Sequence, residues 1–283
     1  RKTCYNYKPD LIVLGHADLV SPNMLGELKD EYPYLKIAQW FLDPLNINGP
    51  DFLKNKKRIL DKSEFIDSNF ITTSPDVLKF LPKNVQNYFI PNPSDPSFET
   101  LNNFDHSCNT DVFFALSHGV HRGKLKTGKF DDRAIFLKKL LEVTKNIKFE
   151  IYGLNKIQPI WADHFYKTIS SVKMGLNLSR GEPIKYYSSD RITQIIGNGL
   201  VTLIDEKTGY RDFFNDDEMI FYKNVNDLSE KINRISKDEK LRKKIGYNGK
   251  LKYTKFFNST IVADFIINKT FDINDKKKYL WHK

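Results

Sequence analysis

Residues 191–204 read Arg-Ile-Thr-Gln-Ile-Ile-Gly-Asn-Gly-Leu-Val-Thr-Leu-Ile. An amphipathic helical pattern, carried from Ser188 to Asn198, ends in Gly-Asn-Gly and gives way to an unbroken apolar run, Leu200 to Ile204. Continuous rather than alternating hydrophobicity marks a strand covered on both faces, as in a parallel sheet with crossover helices. The same unit repeats to either side. Upstream, strands are predicted at 111–116, 148–152 and 174–178, with helices at 132–143 and 163–172. Downstream come a short helix at 209–214 and a strand at 218–222. Helical segments follow at 225–235, 239–247 and 251–267, the last expected to run back toward the first domain.

An earlier series has the same rhythm: strands at 9–14, 35–42, 65–72 and 85–90, with helices at 22–31, 51–61 and 75–80. Between the two series lies Pro91 to Asp111, rich in Pro, Asn, Ser and Asp and without apolar period, the composition of a domain boundary. The chain thus reads as α/β with two Rossmann-like domains: 1–95, a linker at 96–110, 111–260, and a C-terminal helix and basic tail at 261–283. In such sheets ligands bind beyond the carboxyl ends of the strands.

Composition agrees with two packed cores and sets limits on function. Of 283 residues 40% are hydrophobic and 28% charged, which are globular values. No apolar run approaches the 18 or so residues of a membrane span, and no signal peptide is visible. Cys4 and Cys108 provide neither a disulfide framework nor metal-ligand spacing, which suits a reducing cytoplasm. The net charge of +10 admits nucleic acid, anionic lipid or a phosphorylated small molecule. Much of it lies at 237–255 and 275–283, where Lys alternates with apolar residues at helical spacing, as on a solvated face or one that meets an anionic membrane.

The strand-to-helix loops carry the polar groups. After 111–116 comes Ser117-His118-Gly119-Val120-His121-Arg122-Gly123-Lys124, whose glycines admit a close ligand and whose cations suit phosphate. Tyr152-Gly153 forms a small-residue turn where a planar base could lie. Ser179 to Arg191 (SRGEPIKYYSSDR) places Arg180, Glu182, Lys185, Ser188, Ser189, Asp190 and Arg191 ahead of a helix N-terminus, an anion site in its own right. Asp190 at that terminus also fits simple dipole complementarity. In the first series, His16 and Asp43 follow strands; His16 suits a base or a hydrogen-bond donor, and Asp43 equally a turn cap. Trp161 reads as a stacking residue or as core.

In order and spacing these features resemble group 1 glycosyltransferases of the GT-B fold, especially the CgeB-like branch. Ile90-Pro91-Asn92-Pro93 looks like the approach to the GT-B linker. Glu182 to Asp190 looks like the family's E-x7-E motif with Asp in second place, and residues 191–204 resemble its helix-glycine-strand segment. The resemblance implies that Arg122 and Lys124, with His118 and Gly119 beside them, hold the donor diphosphate, that Asp190 binds ribose hydroxyls and that Glu182 meets the donor sugar. It further implies a nucleotide sugar as co-substrate and a glycan or lipid-linked saccharide as acceptor, in bacterial surface polysaccharide synthesis at the inner face of the membrane. An incomplete N-terminal domain, lacking its opening Gly-rich loop, belongs to the same expectation.

No D-x-D triplet follows an apolar strand and no His/Cys/Asp cluster has ligand spacing, so no metal and no other cofactor is expected. Nucleic acid is not an expected partner, while peripheral membrane association is. Two rivals remain, a sugar-nucleotide epimerase of the same fold and a non-catalytic polyanion-binding protein. The first would need no acceptor; the second would bind with steep salt dependence.

Overall fold

The computed structural model describes residues 1–116, 131–154, 157–273 and 278–282. In chain order they form α1 (Lys2–Tyr7), β1 (Leu11–Leu14), α2 (Pro22–Glu31), β2 (Lys36–Phe41), α3 (Phe52–Leu60), β3 (Ser68–Ile71) and β4 (Gln86–Phe89). Next come β5 (Thr110–Ala115), α4 (Asp132–Val143), β6 (Phe149–Tyr152), α5 (Ala162–Ile169), β7 (Val172–Asn177), α6 (Arg191–Ile196), β8 (Val201–Asp205) and β9 (Ile220–Tyr222). Three helices close the chain: α7 (Val225–Lys237), α8 (Glu239–Phe256) and α9 (Ser259–Thr270).

Two compact units divide these elements. The first comprises Arg1–Pro91, Lys185–Tyr187 and Ser259–Lys283. Its four strands run parallel in the order β1-β2-β3-β4. The continuous apolar runs read from the sequence are this sheet's buried strands: Ile37, Ala38, Phe70 and Ile71 are fully enclosed. Ser21 caps α2 by accepting from the Met24 amide, with Pro22 in the first turn, where its missing N–H costs nothing. On the sheet α9 sets Phe265 edge-on against Phe70 and Tyr88.

Asn92–Ile184 and Ser188–Asn258 make up the second unit. All five of its strands are parallel, in the order β6-β5-β7-β8-β9. Two cores sandwich the sheet. Val112, Phe114, Leu137, Leu140 and Leu228 pack on the α4–α7 side; Phe113, Ile169, Ile195 and Leu200 pack on the α5–α6 side. Because the chain turns back after β6 and continues on the other side of β5, the topological switch point lies between β5 and β7.

Three elements differ from the sequence reading. Residues 96–110, read as a linker, lie inside the second unit, where Asn103 donates to the Ile169 and Val172 carbonyls. Buried Arg242 ties the same stretch down by donating to the carbonyls of Asn103 and His106. A break expected near residues 248–250 is absent: α8 runs unbroken to Phe256. Lastly, α6 begins only at Arg191 and holds six residues. Among the described residues no helix is long and apolar enough to cross a membrane.

Candidate functional site

In the second unit the switch point opens into a pocket of about 410 Å³, lined from β5 by Phe113, Ala115 and Leu116. Phe165 and Trp161 supply its α5 side, while Asp190, Arg191 and Gln194 supply its α6 side. Phe98 and Glu99 close it from the stretch that follows the first unit. Its position, at the carboxyl end of the strand where the winding reverses, is where doubly wound sheets hold nucleotides. Trp161 is 61% exposed, so it is a pocket wall and not core.

Short contacts to β7 fix the start of α6. Ser189 donates to Asn177 Oδ1 at 2.9 Å, Arg191 donates to the Leu178 carbonyl at 2.8 Å, and the Arg191 guanidinium lies 5.3 Å from the centre of the Phe114 ring. Asp190 occupies the N-cap position, yet its side chain makes no capping bond. Asp190 is one of the residues that line the pocket. Glu99 is half-buried; burial pushes its carboxyl above the usual carboxylate range, although one oxygen accepts from the Asp95 amide at 2.6 Å.

Several residues read from the sequence sit elsewhere. Ser188 is buried, sharing a 2.8 Å hydrogen bond with the Tyr210 hydroxyl and accepting from Asn92, so it faces the interior. Lys185 groups with the first unit and pairs with Asp76 at 2.7 Å. Glu182 is exposed, and neither it nor Arg180 lines the pocket. Tyr152 donates its hydroxyl to Glu150 and packs near Phe113. Gly153 has a structural reason: at φ +75° a Cβ would fall 2.0 Å from the Leu116 carbonyl oxygen. His118, Gly119, Arg122 and Lys124 lie outside the described residues.

Phe98, Glu99, Phe165 and Gln194 escaped the sequence reading. The first two sit in a Pro- and Asn-rich stretch with no periodic signal, and the other two lie on helix faces that read as ordinary packing.

The first unit has a polar cluster of its own beyond β1 and β2. Arg58, on α3, donates to Asp43 at 2.9 Å and to Asp18 at 2.7 Å. His16 Nε2 lies 3.5 Å from the same Asp43 oxygen, and its ring stacks on Phe41 at 6.1 Å. The hydrogen bond from Arg58 holds the Asp18 carboxyl below its usual range. His16 and Asp43, each placed by sequence after a strand, are thus brought together, and Asp43 is oriented by a cation the sequence did not disclose.

Residues 133–268 match the family model described as glycosyl transferase-like. No curated protein sequence matches the chain. Among solved structures, Anabaena Alr3699/HepE in complex with UDP is similar at 11% identity and a TM-score of 0.63, over 96% of this chain and 80% of that one. Sucrose-phosphate synthase from Thermosynechococcus elongatus is similar at 12% identity and a TM-score of 0.58, over 96% and 75%. A point mutant of S. aureus TarM, with Fondaparinux, alpha-GlcNAc-glycerol and UDP, gives 14% identity and a TM-score of 0.61, over 93% of this chain and 57% of that one. At such identities the structures establish a shared fold of two Rossmann-like domains, and residues 133–268, just under half of the chain, are similar to the glycosyl transferase-like family.

Proposed function

We propose that this chain transfers a sugar from a nucleotide-sugar donor to a glycan or lipid-linked saccharide, without a metal ion, in bacterial surface polysaccharide synthesis. The observation that carries the reading is the switch-point pocket with the unspent Asp190 carboxylate on its wall. It has the volume of a small-ligand site, aromatic walls and a set of polar side chains, Glu99, Asp190, Arg191, Gln194 and Asn198 among them, a lining that suits a nucleoside. The UDP and UDP-glucose bound by HepE support a donor of this class.

In this reading Asp190 accepts from the ribose hydroxyls, and Arg122 and Lys124, which follow β5 in the sequence, neutralise the diphosphate. As the bond from the anomeric carbon to the diphosphate breaks, fixed cations stabilise the departing charge, and a bond to the acceptor oxygen forms. Glu182 meets the transferred sugar. His16, held by Asp43, takes the acceptor's proton. The sequence has no D-x-D triplet after a strand, which favours protein cations over a metal for the leaving group. The CgeB-like branch, a cytoplasmic location and peripheral attachment to an anionic membrane complete the proposal.

The deciding experiment is calorimetric titration with nucleoside diphosphates in EDTA, on the wild type and on Asp190→Asn. Loss of a charged hydrogen-bond partner should weaken diphosphate and nucleotide sugar alike, by about tenfold to a hundredfold. Unchanged affinity in a variant that still melts cooperatively would remove Asp190, and the pocket with it, from donor binding.

A further inference from the structure

The rings that line the same pocket are of two kinds. Phe165 packs edge-on against Phe113 at 5.6 Å and against Tyr166 at 6.1 Å, and the Tyr166 hydroxyl donates to the Phe98 carbonyl at 2.6 Å. These rings belong to the packing of the wall. Trp161 is different. Although it lines the pocket it is 61% exposed, and its indole makes no hydrogen bond, ring stack or cation contact with the described residues. Ile160 before it is buried in the α5–α6 core, and Phe165, four residues on, is fixed by Phe113. Between these anchors the chain turns through Ala162 at φ +48°, a left-handed conformation that a residue with a Cβ rarely adopts. Strain of this kind persists only where the surroundings impose it, and it collects at ligand sites. The fold thus holds an indole out from its core at two costs, an exposed apolar ring and a strained backbone, which no hydrogen bond or ring contact of the indole offsets.

We infer that Trp161 is the platform on which the donor's nucleobase stacks. The inference rests on the donor-site reading above. A nucleoside joins a flat aromatic base to a polar ribose. The pocket has a matching pair of sides: aromatic residues from α5 and its N-terminal end, and Asp190, Arg191 and Gln194 at and along α6. An indole meets a base through the π face that every base has, and reads none of its edges. Trp161 therefore supplies affinity to nucleoside diphosphates as a class and does not choose among them. A sugar ring laid on the indole in place of the base is the competing occupant, and the experiment separates the two.

The test is calorimetric titration of the full chain with UDP, GDP and ADP, on the wild type, Trp161→Leu and Trp161→Phe. Replacing an exposed side chain leaves the fold intact, so the three proteins should melt alike. Trp161→Leu should weaken every diphosphate that binds the wild type by about fivefold to a hundredfold, the range for one lost base stack. Trp161→Phe keeps a flat ring and should recover most of that loss. Emission gives a second readout, because the chain has three tryptophans and the other two, Trp40 and Trp281, belong to the first unit. Nucleotide should quench the wild type, and the quenching should vanish in Trp161→Phe while binding persists. Affinity of Trp161→Leu within about twofold of the wild type would overturn the platform and leave the indole to a sugar. Equal losses in the two variants, binding without quenching, or a markedly lower melting temperature of Trp161→Leu would overturn it as well, with the donor site still standing. If none of the three diphosphates binds the wild type, the donor-site reading itself falls, and this inference with it.

Discussion

A half-buried carboxylate is costly to ionise where its hydrogen bonds and neighbouring charges do not make up for the water it has lost. Glu99 is such a group, and its sign can be worked out. Burial raises its carboxyl above the usual 4.5, so the folded protein takes up a proton more readily than the unfolded chain. The stability this group contributes is complete below about pH 4.5 and lost as pH rises through its folded value. At neutral pH the ionised form is therefore carried at a cost, in keeping with the trade between stability and activity at binding sites. Glu99→Gln retains an oxygen for the Asp95 amide and removes the charge. Its melting temperature, measured without ligand, should exceed that of the wild type at pH 7, and the difference should vanish near pH 4. A lower melting temperature at pH 7 would mean that the charged bond to Asp95 outweighs desolvation. Asp190 and Arg191 were legible in the sequence because they follow a strand and open a helix. Glu99 was not, because its place in the pocket depends on the cavity at Gly197 and on a loop held down by Arg242, both made by residues about a hundred or more positions away.

At the scale of elements the strands were the most readable feature, since a strand covered on both faces announces itself as an unbroken apolar run. Helix ends were less so, and α8 shows why. The sequence reading divided it near residues 248–250, whereas its glycines serve close packing within one helix: a Cβ at Gly246 would fall 2.5 Å from the Gly199 carbonyl oxygen, and one at Gly249 2.4 Å from that of Glu218. Backbone contacts of this kind carry no sequence signature on the helix itself. In α1 the opposite holds, for Cys4 alone is buried and no periodic face exists to be read. Gly249→Ala separates the two roles of glycine. In a free helix the change is worth up to about 1 kcal/mol in favour of Ala. Here the added methyl must push α8 away from the loop before β9, so the net effect should be a loss of about 1 to 3 kcal/mol, the range found for overpacking. Urea denaturation measures it, and a variant as stable as the wild type would show that the helix shifts without penalty.

Across the whole molecule, each unit keeps a carboxylate whose charge is part of its fold. In the first, Asp67 accepts from Lys29 at 2.8 Å and from the Ile37 amide at 2.8 Å, with Lys36 at 3.5 Å. In the second, Asp131 binds Arg133 at 2.6 Å, both of them buried at the start of α4. Burial acts on both carboxyls in the raising direction. Their cationic and backbone partners outweigh it, so each titrates below the usual 3.8. A depressed value means that the folded state releases the proton first, so the contribution is present above about pH 4 and lost as pH falls through the folded value. The positive excess of the chain works in the same direction, since protonating carboxylates in a protein already at +10 adds to its self-repulsion. Melting temperature should therefore stay nearly level from pH 7 to about pH 5 and fall steeply below about pH 4. Asp67→Asn and Asp131→Asn should each be destabilising at pH 7, by more than a surface substitution, because each leaves a cation without its partner. At pH 3 the wild type has itself begun to lose those charges, and the gap between wild type and variant should shrink. A gap of the same size at both pH values would show that the two side chains act through shape and hydrogen-bond count, and that the acid limb of stability has its source in other carboxylates.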